Sequence, residues 1–159
     1  MFKNYINSMH ISGLNSVVMN RKNSSRTEIS IKGEHEIYKV SVAFLSEYDT
    51  LQLTAKINLK FAKKYIPMLK NVVLLINSRL LVGHFDLIFD DNNNAHLSYL
   101  FSQPFFKEYS TDLGSISKFI DIVVTTLNNC YPCFEAIRTG ELVDLNTVEL
   151  FMCAPVVCE

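Results

Sequence analysis

His84 and Asp86 stand two apart in an otherwise apolar stretch. On a strand both would project from one face, opposite Phe85 and Leu87. Asn77 and Arg79 lie just upstream, where a helix is expected to end. An amide, a guanidinium, an imidazole and a carboxylate so close in sequence could form a ligand or partner-binding site. They could instead form a polar network tying a helix end to a sheet, which is the commoner fate of such a group.

Cys130 and Cys133 are the second candidate, as Cys-Tyr-Pro-Cys. Redox proteins use this spacing after a strand and at the start of a helix. Here it falls at the end of a helical pattern. A reactive thiol also needs an electropositive, partly exposed setting. Two small apolar residues packing a helix end is the simpler account. The same pair is the best available start of a zinc site, but Cys153 and Cys158 would have to complete the tetrahedral set from the tail. No metal and no cofactor is therefore expected.

Other catalytic patterns fail on inspection. His10, His35, His84 and His96 have no H-x-x-x-H spacing, and five glycines form no phosphate-binding loop. Asp90–Asn94 lacks the glycine and terminal glutamate of a calcium loop. Nothing in the sequence brings Asp86 to a second carboxylate such as Glu108 for acid–base work.

The elements that must position these residues follow from periodicity. Phe2, Tyr5, Ile6 and Met9 mark a short helix, and Leu14–Asn20 a short strand. Thr27–Lys32, Ile37–Leu45 and the run holding Leu51, Leu53, Ala55 and Ile57 alternate as strands, with turns at Gly33–His35 and Ser46–Asp49. From Phe61 to Leu80 the period becomes helical, and Pro67 implies a false start before a main helix with proline in its first turn. Gly83 is read as the helix stop. His84–Phe89 and Leu97–Phe101 are strands joined by the Asp90–Asn94 turn. A helix capped by Asp112 or Ser115 runs to Cys130; Tyr131–Pro132 interrupts it, Phe134–Ile137 adds a short turn, and Leu142–Cys153 suggests a last short helix. The fold class is α+β, with the order helix, three or four strands, helix, two strands, helix. One apolar face per strand predicts an antiparallel meander plus a hairpin, covered by helices on one face.

The segment Asn77-Ser78-Arg79-Leu80-Leu81-Val82-Gly83-His84-Phe85-Asp86-Leu87 resembles the signature of the YbjN family, bacterial proteins described as sensory transduction regulators. Arg26-Thr27-Glu28-Ile29 and Leu51-Gln52-Leu53 look like its upstream pattern, and Tyr131-Pro132 with Phe134 like its downstream one. The resemblance spans residues 26–140 and makes 1–159 a single domain with a divergent tail. It departs from the family in having no Trp, and in carrying His96 and Ser98 without the Arg often seen there. The resemblance implies a fold like that of type III secretion chaperones, small α+β dimers that bind segments of partner proteins, and supplies no catalytic residues.

Composition excludes several classes. A net charge of −1 with no basic stripe argues against nucleic-acid binding. The clustered Lys60, Lys63 and Lys64 read as a solvated helix start. The longest apolar run, Val72–Ile76, is far short of the ~20 residues that span a bilayer. No leader pattern is read in Met1–Gly13, so the cytoplasm is the expected compartment. The expected function is a non-enzymatic regulatory or chaperone-like adaptor, homodimeric, binding a protein or peptide partner; 11 Phe and 7 Tyr offer material for an exposed groove. The alternative is a small-ligand sensor using Arg79, His84 and Asp86.

Overall fold

The computed structural model describes residues 16–21, 24–45, 47–91, 94–104 and 113–142, with Asp144, Leu145 and Val148; within 16–25 and 113–115 it describes the backbone alone. The helix expected at Phe2–Met9, the segment Phe105–Tyr109, the Asp112 cap and most of Leu142–Cys153 lie outside the described residues; Ser115 is not a cap, because the last helix already begins at Leu113.

Alternation of apolar and polar residues builds six strands: β1 (Ser16–Arg21), β2 (Ser24–Lys32), β3 (Ile37–Leu45), β4 (Thr50–Ile57), β5 (His84–Phe89) and β6 (Ala95–Pro104). They form one antiparallel sheet in the order β1-β2-β3-β4-β6-β5. The first four make the meander. The β5–β6 hairpin docks through β6 onto β4, which leaves β5 as an edge.

Register puts the apolar set on one face. Ile29 lies opposite Val40, Val40 opposite Ala55, Ala55 opposite Tyr99 and Tyr99 opposite Phe85, and all five are buried. A slip of one residue would turn the whole set to solvent. The turn expected at Ser46–Asp49 is present in its described residues, with Asp49 at φ 43° and the Tyr48 amide bonded to the Leu45 carbonyl.

Two helices share the core of this face. Helix α1 (Ile66–Asn77) follows a 3-10 turn at Lys63–Tyr65 and carries Pro67 in its first turn, matching the expected false start. It buries Leu69, Val72, Val73 and Ile76. It ends at Asn77 rather than Leu80, and Gly83 is not its stop. The Ser78 amide bonds the Leu74 carbonyl and the Leu80 amide the Ile76 carbonyl, closing the last turn without a glycine.

Helix α2 (Leu113–Thr139) corrects a second expectation, because it continues through Pro132 without a break. Its buried stripe, Ile116, Ile120, Val123, Leu127, Cys130, Phe134 and Ile137, keeps helical spacing on both sides of the proline. An interior proline costs about 3 kcal/mol. Burying Phe134 and Ile137 returns roughly 1.5–3 kcal/mol each, so packing overrides the local preference. The Phe134 ring meets Phe85 edge-on at 5.1 Å, and Phe85 meets Tyr99 at 5.0 Å.

Candidate functional site

The connection from α1 into β5 is held by one side chain. Phe85 donates its backbone N–H to Asn77 Oδ1 at 2.7 Å, and Asn77 Nδ2 donates to the Phe85 carbonyl at 2.9 Å. Asn77 thus stands where a neighbouring strand residue would stand, and satisfies both outward-facing main-chain groups of Phe85. Phe85 itself is buried.

Gly83 sits two residues before Phe85, at φ 69°. A Cβ there would lie 2.3 Å from Tyr99 Oη, and the same hydroxyl donates to the Val82 carbonyl at 2.7 Å. Both the left-handed backbone and the close approach of Tyr99 require glycine. Its role is to turn the chain into the strand.

The four candidate residues separate into different environments. Asn77 is engaged with the sheet edge. Arg79 is exposed in the connection, its amide bonded to the Ile76 carbonyl at 2.9 Å. His84 and Asp86 project together from the face of the sheet opposite the helices, with Nε2 3.4 Å from Oδ1 and each half exposed. A second pair, His96 with Asp90 at 3.2 Å, stands at the hairpin end, where Asp90 also accepts the Asn94 amide at 2.8 Å and its Nδ2 at 2.9 Å.

Cys130 and Cys133 are buried and free. Burial pushes the Cys130 thiol up to about 12, with Cys133 adding to it, and pushes Cys133 up to about 11. Both are therefore protonated at neutral pH and face the core. Among the described residues no three His, Cys, Asp or Glu side chains gather to hold a metal ion. Cys153 and Cys158 lie outside the described residues.

Two features escaped the reading of the sequence. Asn128 on α2 accepts from the Tyr38 hydroxyl at 3.0 Å and from the Glu34 amide at 3.1 Å, pinning the helix to the β2–β3 turn. Burial, reinforced by Glu36, raises the Tyr38 phenol well above its ordinary range. Asn128 follows Leu127 in an apolar helix, and that polar intrusion was the available signal. The other feature is a set of exposed apolar side chains around β5: Leu81 is 98% exposed, Leu74 72%, Ile88 50% and Phe89 42%. Lys70 of α1 lies over the Phe89 ring, 5.5 Å from its centre. The one-face rule placed Ile88 and Phe89 on a strand but could not show that the strand is an edge.

An antiparallel sheet with helices on one face and an edge strand fastened to the preceding helix defines an α+β class, and the comparisons agree. Residues 17–136 match the family model YbjN, described as "Putative bacterial sensory transduction regulator". The chain belongs to the YbjN family. It is similar to the crystal structure of YbjN from E. coli, described as "a putative transcription regulator", with a TM-score of 0.58 and 10% identity over 83% of this chain and 92% of that one. None of the curated proteins matches the chain. No described helix is long and apolar enough to cross a membrane.

Proposed function

We propose that this protein is a non-enzymatic regulatory or chaperone-like adaptor that acts by binding a protein partner. The observation that carries the reading is the exposure of Leu74 on α1, Leu81 in the connection, and Ile88 and Phe89 on the two faces of the edge strand β5. Apolar side chains left exposed on an edge strand offer an incoming chain a surface to pack on. The family's description as a regulator fits this role. Homodimeric assembly and a cytoplasmic setting accompany the proposal, and nucleic acid and membrane are not its partners. A small-ligand sensor built on Arg79, His84 and Asp86 is the second reading, motivated by the His84–Asp86 pair on the open face.

Affinity capture from the native cell extract, with wild type and Arg79→Ala compared, tests the first reading. One protein retained in near-stoichiometric amount, and depleted by the substitution or by Ile88→Lys, is the expected result. Capture of no protein, together with a thermal shift on adding a metabolite, would replace it with the second. Light scattering checks the dimer: a monodisperse monomer refutes that part.

A further inference from the structure

Among the described residues, the edge of β5 is closed at one residue and open at the next two that face outward. Along an antiparallel strand, main-chain groups alternate between neighbour and edge. Asp90 donates its amide inward to the Asn94 carbonyl, and the Asn77 clamp marks Phe85 as outward. Leu87 and Phe89 therefore present their N–H and C=O groups to the outside, and no hydrogen bond reaches those groups among the described residues. Proteins ordinarily blunt such an edge with charge, proline or a covering element. Here apolar Ile88 and Phe89 stand at the opening, half exposed, with Leu74 of α1 exposed nearby in sequence register with Lys70 and Asn77.

The side chains beside the opening state what would fit. On the open face of the sheet, β5 presents Asp86, Ile88 and then Asp90 at the turn. Asn77 blocks pairing at Phe85, so an added antiparallel strand must bond to Leu87 and Phe89, which centres it on Ile88. Residues two before and two after its centre then lie opposite Asp90 and Asp86. A second copy of β5 in this register would set Asp86 against Asp90 twice, and like charges directly opposite destabilise a sheet.

We propose that the Leu87–Phe89 edge receives an extended segment of a partner protein with an apolar residue flanked, two positions away on each side, by Lys or Arg. The segment adds a strand to the sheet through the free main-chain groups. Its apolar side chain packs on Ile88, and its basic side chains meet Asp86 and Asp90. This rests on the reading of the protein as a partner-binding module and names the surface and the partner's chemistry.

The test is an NMR titration of the full chain with two synthetic peptides, Thr-Lys-Thr-Ile-Thr-Lys-Thr and its Glu-for-Lys counterpart. The expected result is saturable shifts at the Leu87 and Phe89 amides with the basic peptide. The acidic one should bind about tenfold more weakly, from two opposite-charge pairs turned to like-charge ones. Asp86→Lys, its fold checked by its own spectrum, should reduce or invert the preference. Absence of shifts at Leu87 and Phe89, or equal binding of the two peptides, overturns the proposal. So do concentration-dependent shifts there without peptide, which would seat a second copy on the edge. If a captured partner binds Ile88→Lys as well as wild type, the edge is wrong while the partner-binding reading stands.

Discussion

Replacing Asn77 with Ala should destabilise the protein by about 2 kcal/mol. The substitution removes two hydrogen bonds, at 2.7 and 2.9 Å, to the backbone of a residue whose side chain is buried. A net hydrogen bond contributes roughly 0.5–1.5 kcal/mol, and leaving its partner unsatisfied costs toward the upper end. Water can reach a sheet edge in part, which holds the sum near the middle of the range. Alanine's better helix propensity offsets a few tenths of a kcal/mol at most, because Asn77 is the last helical residue. Urea unfolding reads the loss directly. With m near 2 kcal/mol/M the midpoint should fall by about 1 M at unchanged slope. Hydrogen exchange adds a local readout, since the Phe85 amide should lose protection while the Val42 amide falls only by the global change. Asn77→Asp should be no better than Ala, because its carboxylate can accept from the Phe85 N–H but sets negative charge against the Phe85 carbonyl. A loss below about 0.5 kcal/mol with Phe85 still protected would refute the clamp.

Two further substitutions follow from the core. Thr27 is buried opposite Val42, and its Oγ1 has no hydrogen-bond partner among the described residues. Thr27→Val keeps the shape and removes the unsatisfied hydroxyl, so thermal unfolding should shift upward by a few degrees, from about 1 kcal/mol; a downward shift would mean the hydroxyl has a partner. Cys130 and Cys133 hold their protons in the fold far above the ordinary thiol range. Their pKa values are raised on folding, so the stability they contribute is complete below about pH 9 and is lost as pH rises toward 11 and 12. In a Cys153→Ser, Cys158→Ser background, Ellman's reagent at pH 8 should label neither remaining thiol until denaturant is added, whereas prompt native labelling would revive a thiol chemistry.

Local pattern carried much of the architecture. Strand β3 over Ile37–Leu45 and β5 over His84–Phe89 coincide with their alternation, because a strand covered on one face writes its period into the chain. Pro67 located the start of α1, since a missing N–H is tolerated in a first turn. Pro132 misled for the complementary reason. Local cost was legible, but the burial of Phe134 and Ile137 that outweighs it depends on the sheet lying beneath them. Gly83 was legible as special and misread in purpose, since its neighbour Tyr99 comes from a later strand. The position of β5 at an edge depends on β6 docking on β4, a long-range choice that no window of sequence expresses.

The same distinction divides the Asn77–Leu87 segment. Asn77, Gly83 and Phe85 each have a structural task in the geometry: a clamp, a turn and a core ring. None of these tasks involves a ligand. A function therefore has to be sought in what those tasks leave over. Asp86 is oriented as a consequence of Phe85 facing inward, and stays half exposed beside Ile88. The clamp that stabilises Phe85 also limits how far another strand can pair along β5. A segment that fastens a helix to a strand thus sets both the register and the charge pattern of the edge it leaves open among the described residues. Loosening it with Asn77→Ala should free Phe85 as a third pairing position. The peptide register would then no longer be confined to Leu87–Phe89, and discrimination between the basic and acidic peptides should weaken even where binding itself persists.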